Sequence, residues 1–193
     1  MSPDDDRRAV VASDAVRTAR LLLRPVGPPD LEALFALHSD PRAFAQDLTE
    51  PLTEPEQMRR VLAHWIERRE RTGRGYLTLR AAPGAALPPG LLGVVGLMEL
   101  ETEQAPALSA YWRLDPAATG RGVASEAMRA VLADPLHGPR GQEVLAVTAA
   151  RNTPSRALAA RLGFLPAPVD RPVPGDRDGD VLLVLPPGAT GRP

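Results

Sequence analysis

The chain has 193 residues, 44% hydrophobic and 24% charged, which suits one domain with a full core and is short for two. Its net charge is −1, with 23 Lys and Arg against 24 Asp and Glu, so it carries no basic footprint for a nucleic acid. Cysteine is absent and only His38, His64 and His137 occur, which excludes a disulfide framework, a thiol nucleophile or a thiolate site and argues against a His-based zinc centre.

Residues 1–17 read as a loosely ordered leader. Arg20 to Val26 predicts a first strand, ended by Gly27, Pro28 and Pro29. From Asp30, the apolar Leu31, Leu34 and Phe35 recur at helical spacing until Asp40-Pro41 stops the element. A second helix opens at a capping box of Thr53 and Glu56, with Pro55 in its first turn. Met58, Val61, Leu62, Trp65 and Ile66 share one face, and Gly73 closes it. Arg68, Arg69 and Arg71 read as a solvated last turn that suits the helix dipole.

Tyr76 to Arg80, Leu91 to Glu101 and Leu108 to Leu114 predict strands of an antiparallel hairpin or meander. Gly120 to Asp134 reads as helix, Glu143 to Ala149 as strand and Pro154 to Leu162 as helix. Gly163 suits its C′ position, with Phe164 as the hydrophobic clasp. Val181 to Leu185 is a last strand before a tail at 187–193. One domain over residues 18–186, a mixed sheet with helices against it, is the economical arrangement. Leu87 to Leu100, the most apolar stretch, is broken by Pro and Gly and too short to span a bilayer. Met1 to Asp14 lacks an apolar signal-peptide segment. The expectation is a cytoplasmic protein with no membrane or nucleic-acid partner, as a monomer or homodimer.

The chemistry is concentrated between Tyr111 and Phe164. A strand ending at Leu114 runs through Asp115-Pro116 into Thr119-Gly120-Arg121-Gly122-Val123-Ala124, and a helix follows. Two glycines permit a tight turn and close backbone approach. The free N–H groups that open the helix then converge where its dipole favours negative charge, a cradle for phosphate or pyrophosphate. A plain tight turn capping a helix has the same pattern. A P-loop does not fit, because no Lys-Ser/Thr pair follows the glycines, and a dinucleotide fingerprint would place its third Gly at Ser125. The next strand, EVLAVTA, leads directly into Asn152-Thr153-Pro154-Ser155 and a helix ending Leu162-Gly163-Phe164.

The two stretches together resemble the cofactor-binding half of the GNAT N-acetyltransferase superfamily, in its ribosomal-protein N-terminal acetyltransferase-like (Rim-type) branch. The Gly-x-Gly-x-Ala-Ser/Thr-Glu-Ala segment of that branch is matched by Gly120, Gly122, Ala124, Ser125, Glu126 and Ala127. Its Asn-x-x-Ser and Leu-Gly-Phe are matched by Asn152, Ser155 and Leu162 to Phe164. Thr18 to Pro25 followed by Asp30 resembles the opening strand and helix, so the similarity spans roughly residues 18 to 165.

The resemblance implies an α+β (α/β) fold: a mostly antiparallel, twisted mixed sheet with a splayed parallel strand pair and helices on both faces. It implies an acetyl-CoA-dependent N-acetyltransferase that moves acetyl to a protein N-terminus or a small-molecule amine by direct attack on the thioester. Backbone groups near Trp112 and Leu114 would bind the pantetheine arm. The N–H groups of Gly120, Arg121, Gly122, Val123 and Ala124 would hold the pyrophosphate, with Thr119 and Ser125 also in the cofactor site; Asn152 would bond the pantetheine, and Ser155 would sit near the thioester sulfur. Ser109 stands where the branch often has a strand Glu, and Ala159 where other branches carry a Tyr acid.

Glu99 and Glu101 share a strand face and could line the acceptor cleft, where Glu99 would accept the amine's proton. A solvated strand face is the plain alternative. Ser155 could assist the leaving thiolate, or only bond backbone in its helical turn. Glu126 reads as a structural hydrogen-bond acceptor. Of Tyr111 and Trp112, one faces core and the other the cleft. Asp176, Asp178 and Asp180 mimic the start of a calcium loop, but Gly179 is misplaced and Pro187 stands where the bidentate Glu is needed, so they read as a turn. A catalytically weak acyl-CoA-binding regulatory protein is the alternative function.

Overall fold

The computed structural model describes residues 14–102 and 106–189. Eight strands form one sheet: β1 (Val16–Arg17), β2 (Leu21–Pro25), β3 (Tyr76–Ala81), β4 (Gly93–Leu100), β5 (Ala107–Leu114), β6 (Val144–Ala149), β7 (Leu165–Pro166) and β8 (Asp180–Leu185). Their spatial order is β1-β2-β3-β4-β5-β6-β8-β7. Every neighbouring pair is antiparallel except β5 and β6. Four α-helices pack on the sheet: α1 (Leu31–Ser39), α2 (Pro55–Thr72), α3 (Val123–Ala133) and α4 (Thr153–Arg161).

Period-two alternation along the strands feeds two apolar layers. On one face Val26, Val94 and Met98 meet Leu34 and Leu37 of α1 and Met58, Leu62 and Trp65 of α2. On the other, Leu23, Leu79, Val95 and Leu97 meet Val123, Met128 and Val131 of α3 and Leu158 of α4. The mixed sheet with helices on both faces is therefore as expected.

Several local details differ from the sequence expectations. The cap of α2 is displaced by one residue: Glu54 is the N-cap, and the Gln57 side-chain oxygen accepts from the Glu54 N–H at 2.9 Å and the Thr53 N–H at 2.8 Å. Glu56 instead pairs with Arg59. Gln57 wins because the helix starts at Pro55, which places it at the third helical position. Arg68 and Arg69 are not merely solvated. The Arg68 guanidinium donates to the Glu99 carbonyl at 2.6 Å, and Arg69 pairs with Asp14. Helix α3 begins at Val123, three residues after the expected Gly120, because Gly120 and Gly122 adopt φ of +72° and +76°. Val16–Arg17, within the expected leader, pairs with β2. Two-residue strands such as β1 and β7 are too short to show alternation.

Helix α4 closes as anticipated. Gly163 takes φ +91°, its N–H bonds the Ala160 carbonyl and the Phe164 N–H bonds the Ala159 carbonyl, both at 3.0 Å. This is a Schellman closure, and it buries Phe164 beneath Trp112, with ring centroids 6.3 Å apart.

Candidate active site

The parallel pair is where the sheet opens. β5 and β6 are in register only at Leu108↔Val144 and Ser109↔Leu145. Beyond that, β5 stays paired with β4 as far as Leu114, and β6 with β8 as far as Ala149. Each strand thus turns one edge of backbone donors and acceptors into a widening gap, and such groups need partners.

Two cavities meet in this gap. The larger, about 640 Å³, lies toward α3 and α4. The smaller, about 270 Å³, lies toward the 47–49 segment and the 174–180 turn. Asp47, Trp112, Arg113 and Ser155 border both.

The larger cavity brings together most of the residues singled out from sequence. Trp112, Leu114, Thr119, Gly120, Gly122, Val123, Ala124, Ser125, Asn152 and Ser155 all line it. Arg121 does not: its side chain turns back to the Ala117 carbonyl at 3.2 Å. The α3 ladder starts at the Glu126 N–H, which bonds the Gly122 carbonyl at 3.0 Å. The amides of Val123, Ala124 and Ser125 precede that bond and lack intrahelical acceptors, so they leave a donor-rich, electropositive rim. Gly120 and Gly122 both need left-handed φ to aim this rim.

That helix start is fixed from behind. The Glu126 carboxylate accepts from the Thr18 hydroxyl, from the Arg20 N–H at 3.0 Å and from the Arg20 Nε at 2.7 Å. Partial burial alone would raise the Glu126 carboxyl, but these donors outweigh it and hold it below the usual carboxylate range. Glu126 is structural, as expected from sequence.

Asn152 caps α4, its Oδ1 accepting from the Ser155 N–H at 3.1 Å, while its Nδ2 donates to Asp47 at 2.8 Å. One amide hydrogen of this side chain is left for a ligand. The Trp112 indole N–H donates to Ser155 Oγ at 3.2 Å. This contact occupies an acceptor site of the hydroxyl, so the Ser155 proton is free to donate into the cavity.

The other face holds a polar chain that sequence reasoning missed. Arg113 donates from Nη2 to Asp47 at 2.7 Å, from Nη1 to the Ala43 carbonyl at 2.5 Å and from Nε to the Tyr111 hydroxyl at 2.9 Å. Its guanidinium also sits 3.7 Å from the Phe44 ring centroid. The Tyr111 hydroxyl is 3.0 Å from His38 Nε2, and His38 Nδ1 is 2.7 Å from the Leu34 carbonyl. A carbonyl only accepts, so Nδ1 carries the hydrogen and Nε2 accepts from Tyr111. Burial lowers the His38 pKa to about 4, so the ring is neutral at pH 7. Burial also raises the Tyr111 phenol. For Arg113, burial opposes the charge, but Tyr111 and Asp47 more than compensate. Tyr111 thus joins the aromatic cluster of Trp65 and Tyr76 on the core side, and Trp112 lies on the opposite face beside α4.

Glu99 lies away from both cavities. It stands opposite Leu108, where β5 and β6 are still paired, at the closed end of the gap. Strand alternation turns it to the α3 face with Val95 and Leu97, and its carboxylate lies 3.7 Å from Arg74. It lines neither cavity. Arg42 and Arg161 line the larger cavity, and Arg177 and Asp180 the smaller. The first three had no motif to mark them, and Asp180 read only as part of a turn.

Among the described residues, no group of three or more His, Cys, Asp or Glu could hold a metal, and no helix is long and apolar enough to cross a membrane.

Residues 20–165 match the family described as the acetyltransferase (GNAT) domain. The chain belongs to the GNAT acetyltransferase family. As a GNAT protein it is an acetyltransferase and uses acetyl-CoA. It resembles a GnaT-family acetyltransferase from Bordetella pertussis, at 26% identity and TM-score 0.69, covering 89% of this chain and 98% of that one. It shares its fold with the spermidine N-acetyltransferase from Vibrio cholerae, solved with CoA and spermine, at 17% identity, TM-score 0.63, and 87% and 96% coverage. The same holds for a ribosomal-protein alanine acetyltransferase from Vibrio fischeri, at 17% identity, TM-score 0.66, and 93% and 99% coverage. The residues present suit acetyl-CoA: a donor-rich helix start for a pyrophosphate, a strand edge for amides, and two cavities that share Trp112 and Ser155 in their walls.

Proposed function

We propose that this acetyltransferase acts on an amine, a protein N-terminus or a small-molecule amine, as a Rim-type member of its family. The observation that carries this reading is the pair of cavities joined through the splayed strands, with Ser155 at the junction. The larger cavity suits acetyl-CoA, which supplies an activated acyl thioester when bound. The smaller suits an acceptor approaching from the opposite face. Neighbours of the same fold acetylate spermidine and a ribosomal protein, which agrees with an amine acceptor.

In this reading the amides of Gly120 and Gly122 to Ser125 bind the pyrophosphate. The open edge of β5 at Trp112 and Leu114 binds the pantetheine amides, as an added strand would. The remaining amide hydrogen of Asn152 bonds the same arm. Trp112 holds Ser155 with its proton directed into the cavity, where it can be given to the departing sulfur.

The test is free CoA release from acetyl-CoA, followed against a panel of N-terminal peptides and small amines. Amine-stimulated release, reduced about 10- to 100-fold in kcat by Ser155→Ala at little cost in acetyl-CoA affinity, is the expected result. Acetyl-CoA binding with no stimulation by any amine would overturn it.

A further inference from the structure

The acceptor-side cavity holds two carboxylates, and they are not equivalent. Asp47 is committed: Oδ2 accepts from Arg113 at 2.7 Å and Oδ1 from Asn152 at 2.8 Å. Both of its oxygens are therefore engaged by protein donors. Asp180 opens β8 opposite Ala149, at the open end of the gap. Its alternation with Leu182 and Val184 turns it to the acceptor face, away from α3 and α4.

The Asp180 side chain is only 10% exposed, yet its single ion pair among the described residues is with Arg177 Nε at 3.9 Å. That is the outer limit of an ion pair, and Arg177 is itself half exposed at the rim. Among the described residues the carboxylate is held by no close protein donor, and it faces a cavity of about 270 Å³ that it shares with Ser155. The other charged or titratable linings of this cavity are Asp47, Tyr111, Arg113 and Arg177. Tyr111 and Arg113 belong to the bonded chain ending at His38.

We propose that Asp180 is the group that receives the acceptor amine and takes its proton. This rests on the reading of the protein as an amine acetyltransferase. The neutral amine nitrogen attacks the thioester carbonyl carbon, a C–N bond forms, and the C–S bond breaks with its electron pair on sulfur. The surplus N–H proton passes to the Asp180 carboxylate, and the sulfur takes a proton from Ser155, which is restored from solvent. Amide and thiol leave, and Asp180 returns its proton to water at the Arg177 rim. The same carboxylate provides the negative charge that draws in an amine arriving as ammonium, which first loses one proton to water at the open rim of the cavity.

The experiment compares wild type, Asp180→Asn and Asp178→Asn, an exposed neighbour in the same turn. Acetyl-CoA affinity is read by tryptophan fluorescence, because Trp112 lines the cofactor cavity, and transfer by CoA release with the amine panel. The proposal expects D180N to lose about 100-fold or more in kcat/KM for the amine. Acetyl-CoA affinity should stay within about twofold, with Asp178→Asn like wild type in both. A folded D180N that retains wild-type turnover within about threefold overturns it and leaves the transferase reading standing. A wild type that binds acetyl-CoA but is stimulated by no amine overturns both. If D180N does not fold, Asp180→Glu moves the carboxylate by one methylene while keeping its charge. A loss of about tenfold or more in the folded Glu variant then supports the role, and unchanged turnover overturns it.

Discussion

The single residue with the clearest consequence for solution behaviour is His38. It is 6% exposed, and its pKa falls to about 4 because burial disfavours the imidazolium. In the unfolded chain the same ring titrates near 6.5, so between pH 6.5 and 4 the unfolded state binds the extra proton. Its contribution to stability is therefore complete above pH 6.5 and is lost as pH falls toward 4. A shift of this size corresponds to about 3 kcal/mol. Urea unfolding at pH 4.5, 5.5 and 7 should show stability rising with pH. His38→Gln, which keeps an acceptor for the Tyr111 hydroxyl, should flatten that rise, and an unchanged slope would assign the pH dependence to other groups. Arg113 offers a second residue-scale test. Arg113→Ala strands Asp47 beside the cavity and removes the bond to Ala43, so it should cost about 3–5 kcal/mol in thermal or denaturant unfolding. The same change should raise the KM for both the amine and acetyl-CoA, since Arg113 and Asp47 border both cavities.

At the scale of elements, the start of α3 carries the proposed cofactor cradle, and its two glycines sit at left-handed φ. Gly122→Ala meets no close backbone, its nearest neighbour being Arg20 Nη2 at 3.5 Å, so the cost comes from the dihedral angle. It should be about 1–2 kcal/mol of stability. Acetyl-CoA affinity, measured calorimetrically, should fall more than tenfold, because the amides of Val123 to Ser125 would no longer converge. An affinity within twofold of wild type would remove these amides from the pyrophosphate site. The same element shows what the sequence makes legible. Val123, Ala127, Met128 and Val131 repeat at helical spacing, and a glycine pair beside them signals a tight turn, so helix and cradle can be read locally. The capping of α4 by Asn152 and its closure at Gly163 are equally local. The 40–49 segment is different. Asp47 reaches the site only because Arg113, Arg151 and Asn152 bind its carboxylate and the backbone around it, from partners 66 to 105 residues away. No spacing rule encodes that contact. For Glu99 the strand face was readable, but which end of β4 adjoins the gap depends on where β5 leaves β6. Asp180 looked like part of a turn because its two exposed neighbours, Asp176 and Asp178, are that.

On the scale of the whole molecule, the two helical layers lie on opposite faces of the sheet, and the sheet is split between β5 and β6 beyond Ser109. The five strands β1 to β5 on one side of the gap and β6, β8 and β7 on the other are tied by α3 and α4 packing and by the bonds that hold the 40–49 segment to Asn152 and Arg151. A ligand that fills the gap contacts β5, α3 and α4 together and so stabilises the folded state by mass action, about 2.7 kcal/mol at a concentration 100 times its Kd. For a domain of this size that is a rise of about 5–10 °C in Tm. Acetyl-CoA should produce this shift, while pantetheine without the nucleotide should give a smaller one, since it leaves the α3 amides unbound. In Gly122→Ala the acetyl-CoA shift should contract toward that given by pantetheine, because the variant damages only the part of the site that the nucleotide uses. Equal shifts from acetyl-CoA and pantetheine in the wild-type protein would mean that the helix start contributes nothing to binding, and the cradle would have to be sought elsewhere along the larger cavity, which Arg42, Arg113 and Arg161 also line.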